Sequence, residues 1–243
     1  MQKPGDLPLF HTGRLQRYNS YQKIHPELSW LDVITHVNIG LDLPYYTNVR
    51  LVEKPSSRIV LVNKFRQLPA DFEPKDLEEI DQRFNPDGLK LRHCARLAFE
   101  KMCEDALKEG ISLKAVSAYR SYSYQQEVYL RKKTPEMSLE DYQAERDKVS
   151  ARAGHSEHQT GLAVDINDLE ESFENTDEAK WLAANACKYG FILRYPKGKE
   201  GITGYSYEPW HFRYLGRKLA LEVYRSGLTY DEYYVRYLAE GQM

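Results

Sequence analysis

An α+β fold is what this 243-residue sequence predicts: a single compact domain with a small, mostly antiparallel central sheet flanked by helices, plus a helical N-terminal extension. Three observations carry that reading. Runs rich in β-branched and aromatic residues are short and irregularly spaced, which suits separate strands and helices better than a regular βαβ series. Helical patterns fall between those runs in varying number. The chain is also long enough to bury a core without disulfides or a fold-stabilising metal.

The elements follow in order. Residues 14–25 and 29–38 read as short helices, the second capped by Ser29, with Leu31, Ile34 and Val37 spaced for one apolar face. Gly40 and Pro44 close this part. RIVLVN at 58–63 has the β-branched density of a strand, and the two prolines of LPADFEPKDL make the next connection extended. We divide the chain here, with an extension over 1–57 and a catalytic domain over 58–243. Residues 87–109 give the strongest helical pattern, with Leu89, Leu97, Ala98 and Leu107 among its apolar positions and Gly110 as a stop. LKAVSAY (113–119) is a strand, 122–133 a polar, tyrosine-rich helix, and Ser138 opens a helix to about residue 150. LAVDI is a strand, 177–189 an amphipathic helix ended by Gly190, and FILRY and WHFRY are further strands. Helices over 216–226 and 229–239 finish the chain.

Composition excludes several classes. Lys plus Arg number 34 and Asp plus Glu 36, a net charge of −2, which argues against nucleic acid as a partner. Cys94, Cys103 and Cys187 are odd in number and lack CxxC spacing, so they read as small buried or half-buried hydrophobes. The N-terminus lacks the features of a signal peptide, and no run approaches the length of a membrane span.

The chemistry concentrates in GHSEHQTGLAVDI at 154–166 and YEPWHF at 207–212. A hydrolytic zinc site takes three ligands from His, Asp or Glu and leaves a position for water. His158 and Asp165 are seven apart, with Thr160-Gly161 between them as a turn. His211 is the third candidate, and Glu208 a spare carboxylate three residues upstream. Positions three apart face opposite sides of a regular strand, so Pro209 implies a bend that turns Glu208 and His211 to one cavity. Spacing alone leaves open whether His158 is a ligand or a core histidine satisfied by hydrogen bonds. His155 reads as a flanking surface residue and Glu157 as a solvated carboxylate or one backing a ligand. Several tyrosines cluster near these motifs, and Trp210 reads as a wall of the site.

SEHQTGLAVDI followed by GYSYEPWHFRYLG resembles the VanY-type zinc D-alanyl-D-alanine carboxypeptidases, whose motif is S-x-H-x6-D and then E-x-W-H. YRSYSYQ at 119–125 and LVNKFRQLPADFEP at 61–74 are similar to family segments as well, so the resemblance runs from about residue 58 to 215. It implies His158, Asp165 and His211 as ligands of one Zn2+ per chain, Glu208 as catalytic base, and Arg120, Gln125 and Ser156 as substrate-binding residues. Arg120 suits the terminal carboxylate, to which guanidinium offers two parallel donors, although taken alone it reads first as a solvated strand-end charge.

The implied activity is removal of the C-terminal D-alanine from a peptidoglycan stem peptide. The motifs also admit an L,D-carboxypeptidase acting on tetrapeptides, a cell-wall endopeptidase, or a non-catalytic module with structural zinc. A monomer is expected, acting outside the cytoplasm in the cell envelope with its signal or anchor outside this chain; cytoplasmic action on precursors is the alternative.

Overall fold

The computed structural model describes residues 4–7 and 9–239. Residues 1–3, 8 and 240–243, the outer parts of the two predicted units, lie outside the described residues.

Helices α1 (Leu15–Ile24) and α2 (Trp30–Ile39) come first. The Ser29 hydroxyl accepts from the Asp32 amide and Gly40 closes α2 at φ 114°, a left-handed turn that a side chain would strain. Val33, Ile34 and Val37 are buried with Tyr18 and with Phe65 and Val235 from the far end of the chain. This extension therefore packs onto the remainder of the molecule.

A two-stranded parallel ribbon follows, β1 (Arg50–Leu51) and β2 (Arg66–Gln67). Residues 58–63 between them are not the predicted strand. Val60, Leu61 and Val62 are buried, but the carbonyls of Arg58 and Val60 accept from the Arg213 guanidinium at 3.0 and 2.9 Å. A side chain replaces the neighbouring strand that the segment would otherwise need.

The helix predicted over 87–109 starts later. Residues Lys90–Arg92 form β4, antiparallel to β3 (Leu77–Glu79), and α3 runs from His93 to Lys108. The chain continues through β5 (Ala115–Ser117), α4 (Tyr122–Leu130), α5 (Leu139–Arg146), β6 (Ala163–Ile166), α6 (Asp177–Asn185), β7 (Phe191–Leu193), α7 (Glu200–Thr203), β8 (His211–Tyr214), α8 (Arg217–Ser226) and α9 (Tyr230–Tyr237). The last turn of the predicted 177–189 helix is 3-10, Ala186–Tyr189, and Gly190 ends it at φ 95°.

The central sheet has the order β5-β6-β8-β7 and every pairing is antiparallel. Its two faces differ because side chains alternate along a strand. Val164, Ile166, Phe191 and Phe212 point to the core and pack with Phe99, Met102 and Ala106 of α3. A buried phenylalanine contributes about 1.5–3 kcal/mol, so this face anchors the sheet. The intervening residues, Asp165 on β6 and His211 and Arg213 on β8, emerge on the opposite face. Chemistry and core thus share the same strands without sharing a side.

Candidate metal centre

Register brings the central pair together. Asp165 and His211 are direct partners across β6 and β8, and Ser117 of β5 flanks Asp165 beside a bulge. The third group arrives by a 3-10 turn, Glu157–Thr160, begun by Ser156, whose hydroxyl accepts from the His158 amide at 3.3 Å. Gly161 closes that turn at φ 64°, where an added Cβ would meet Leu77 Cδ2 at 2.8 Å and Arg92 Cγ at 2.9 Å. Only glycine turns the chain there from His158 into β6.

The resulting distances are short. His158 Nε2 lies 3.3 Å from Asp165 Oδ2, and His211 Nδ1 lies 3.0 Å from Asp165 Oδ1. One ligand atom from each of His158, Asp165 and His211 falls within 4.8 Å of the others, and all three residues are buried. Zinc bonds of about 2.0–2.2 Å place two tetrahedral donors roughly 3.3 Å apart, so the set fits that ion. His158 Nδ1–H donates to the Ala118 carbonyl at 2.7 Å, which fixes the tautomer and leaves the Nε2 lone pair facing Asp165. Its Nε2 and Asp165 Oδ1 have no hydrogen-bond partner. Buried polar atoms are rarely left so, and a divalent cation is the group that would satisfy both.

For His158 and Asp165 the electrostatics favour the form that binds a metal, and around His211 they favour a positive charge that a bound cation would supply in place of the proton. Burial, reinforced by the Arg120 charge, pushes His158 down to about 4, so it is neutral and able to bind a metal. Burial alone would raise the Asp165 carboxyl, but His158 and His211 outweigh it and hold it well below the usual range. For His211 burial acts downward, and the Asp165 and Glu157 carboxylates beside its two nitrogens override it to reach about 9. Carboxylates on both sides of this imidazole favour positive charge in their midst.

Glu208 Oε2 is 3.7 Å from His211 Nδ1. The turn through Pro209 returns the His211 amide to the Glu208 carbonyl at 3.3 Å, so the expected bend is present. Burial pushes the Glu208 carboxyl up to about 7, with the nearby His211 charge opposing part of that rise. A carboxyl poised there exchanges protons near neutral pH.

Arg120, Gln125, Ser156, His158, Asp165, Glu208 and His211 all line one cleft of about 570 Å³, with Trp210 and Tyr195, Tyr205 and Tyr207 around them. Tyr119, Tyr122, Tyr124 and Tyr189 are not among its lining residues. Arg120 Nη2 sits 3.6 Å from Asp165 Oδ2, and its Nε has no hydrogen-bond partner. Gln125 donates from Nε2 to the Ala151 carbonyl at 2.7 Å, and its Oε1 is likewise unpaired.

One expectation needs correction, and of the two readings of Glu157 the structure favours the one backing a ligand. His155 is buried, not at the surface: its Nδ1–H donates to the Asn63 carbonyl at 2.8 Å, and Tyr46 meets the ring edge-on. Glu157 is not solvated. Its Oε1 accepts from Arg194 Nε at 2.8 Å and Arg213 Nη1 at 2.9 Å, while Oε2 lies 3.6 Å from His211 Nε2. Arg194 continues to Asp231 of α9 at 2.6 Å. This buried chain of charges was missed in the sequence. Its signal was an arginine ending one apolar strand (FILRY) and another inside a second (HFRY), each of which needs an acidic partner once buried.

The family profile described as VanY, D-alanyl-D-alanine carboxypeptidase, matches residues 88–217. YodJ of Bacillus subtilis (strain 168) is 41% identical over 203 residues, 79% of this chain and 72% of that protein. Among solved structures, the LdcB LD-carboxypeptidase aligns with a TM-score of 0.69 at 40% identity, covering 78% of this chain and 91% of its own. The vancomycin-resistance D,D-pentapeptidase VanY, solved with Zn(II), gives 0.63 at 33% identity, covering 72% and 98%. VanYB has also been solved with D-alanine-D-alanine, and it aligns at 0.63 with 34% identity, covering 72% and 96%. The chain belongs to the VanY family of D-alanyl-D-alanine carboxypeptidases and is a zinc metallopeptidase of the carboxypeptidase type.

Proposed function

We propose that the cleft removes the C-terminal D-alanine of peptidoglycan stem peptides ending in D-Ala-D-Ala, with one zinc ion per chain held by His158, Asp165 and His211. The observation that carries this reading is a set of unpaired, buried ligand atoms in a cleft that also holds an arginine. Zinc, when bound, supplies a Lewis acid that polarises the scissile carbonyl and acidifies water. Glu208 accepts the proton of the attacking water and delivers it to the departing amine, a role that its raised pKa supports. Arg120 binds the terminal carboxylate through parallel N–H donors, which favours an exo-acting enzyme over an endopeptidase. Gln125 Oε1 accepts from a substrate amide, and the Ser156 hydroxyl adds a second polar contact. His155 takes no part in holding the metal.

The three protein ligands leave room for water and substrate, which separates this site from the closed four-ligand sets of structural zinc. We assign residues 58–243 to the catalytic unit and 1–57 to a helical extension that braces it. One chain carries the whole cleft, which supports action as a monomer, and the stem-peptide substrate supports a location in the cell envelope.

A second reading, L,D-cleavage of tetrapeptide stems, is favoured by the higher likeness to LdcB than to VanY. Incubation with pentapeptide and tetrapeptide stems, scored by mass, separates the two. The D,D reading expects D-alanine release from the pentapeptide and an unchanged tetrapeptide; trimming of the tetrapeptide alone reverses the assignment.

A further inference from the structure

A second cleft lies where the N-terminal helices meet the β1–β2 ribbon, and it shares no lining residue with the catalytic cleft. Its polar lining is Arg14, Arg17, Arg50, Arg66, Asn38 and Asn48, with no acidic residue among the lining. The chain as a whole is slightly acidic, so this concentration of positive charge is local.

The four arginines are not equivalent. Arg17 is neutralised by a two-point pair with Asp42, both contacts at 2.6 Å. Arg14 is steadied by the Asn38 side-chain oxygen at 2.6 Å, and Arg66 stacks its guanidinium 5.1 Å above the Tyr234 ring. Among the described residues, no carboxylate comes within ion-pair distance of Arg14, Arg50 or Arg66. Arg50 and Arg66 are also direct register partners in the parallel ribbon, which sends both side chains from one face. Like charges placed opposite one another destabilise a strand pair. Burial, together with the nearby Arg50 and Arg17, presses the Arg14 guanidinium below its usual value, and His11 is lowered by burial, Arg14 and Arg50.

We infer that this cleft binds a phosphate oxyanion, held between Arg14, Arg50 and Arg66. A single carboxylate matches one guanidinium fork, whereas three arginines lining one opening match the several oxygens and higher charge of a phosphate. Asn48 adds a neutral side chain, and the Asn38 contact holds the Arg14 fork in advance. Free phosphate and a phosphodiester within a polymer share this chemistry. The inference is independent of the catalytic assignment.

The test is calorimetric titration of the full chain with inorganic phosphate, with a poly(glycerol phosphate) oligomer and with acetate, at one ionic strength set by chloride. Saturable one-to-one binding of phosphate is expected, with acetate at least tenfold weaker. Tighter binding of the oligomer than of phosphate assigns the site to a polymer, and equal or weaker binding assigns it to the free ion. Arg50 is exposed, so Arg50→Gln is expected to fold, to turn over peptide at the wild-type rate and to weaken phosphate at least tenfold; Arg66→Gln is a second, independent variant. In phosphate-free buffer Arg50→Gln is expected to melt no lower than the wild type, because it relieves a like-charge pair. No saturable binding of either phosphate probe, or binding unchanged in the Arg50→Gln/Arg66→Gln protein, overturns the inference.

Discussion

The two sides of His211 meet buried charge in opposite conditions. At Nδ1 the neighbouring groups are Asp165 and Glu208, with His158 beyond, and buried donor and acceptor atoms there lack partners. At Nε2 stands Glu157, whose other oxygen is held by Arg194 and Arg213, each no more than 1% exposed. One side is unfinished; the other is closed in charge by the two arginines, although Glu157 Oε2 and His211 Nε2, 3.6 Å apart, make no hydrogen bond. The difference teaches what each is for, because unmet polarity facing a cleft costs stability unless a ligand completes it, whereas a carboxylate whose charge is already met by fixed arginines only positions what it touches. Glu157 faces the imidazole nitrogen that would not bind the metal, the place from which a carboxylate orients a histidine ligand.

The largest expected effect breaks the unfinished side without emptying it. Glu208→Gln keeps the shape of the side chain and removes the base. D-alanine release should fall by about 10²–10⁴-fold, the usual share of general acid–base catalysis, with zinc content by metal analysis unchanged. Release at the wild-type rate would remove Glu208 from the mechanism.

Glu157→Gln tests the closed side. It leaves the buried Arg213 guanidinium without a carboxylate and Arg194 with Asp231 alone, and breaking such a network costs about 3–5 kcal/mol, read as a lower urea midpoint. Zinc affinity of the folded protein should weaken by about 10–100-fold if the carboxylate orients His211. A variant that loses stability but keeps full zinc affinity would reduce Glu157 to scaffold.

Chelation distinguishes the sides again. Removing zinc should abolish turnover and lower stability by about 3–4 kcal/mol for an ion present at 100–1,000 times its Kd. Far-UV dichroism should persist, because the packing of α3 on the sheet lies on the other face from the metal. Unfolding on chelation would instead make the zinc structural.

The same contrast explains what the sequence disclosed. Asp165, His211 and Glu208 were singled out by a carboxylate in an apolar run, by their spacing and by one proline, which are local signals, and the family resemblance supplied their roles. Every residue singled out as ligand, base or substrate contact lines the same cleft. What escaped depended on partners far along the chain. RIVLVN has strand composition, yet its carbonyls are claimed by Arg213, more than 150 residues away. Lys90–Arg92 looked like helix because its pairing with Leu77–Glu79 leaves no local mark. His155 looked exposed, and Glu157 was left between solvent and a place behind a ligand, because Tyr46, Arg194 and Arg213 are invisible from their neighbourhood.

The smallest expected effect calibrates the contrast from outside. Asp105 on α3 also sits among several partners: Lys101 at 2.8 Å, Lys108 at 2.6 Å and the Tyr189 hydroxyl at 3.1 Å. By distance alone it rivals Glu157. Its lysine partners are 58% and 69% exposed, however, and water screens these pairs and replaces them when they break. Asp105→Asn should therefore leave the urea midpoint within measurement error and turnover unchanged, although it disturbs as many short contacts as Glu157→Gln. A shift comparable to that of Glu157→Gln would mean that contact geometry, and not burial, sets the worth of these networks. The comparison of the two sides of His211 would then lose its physical basis.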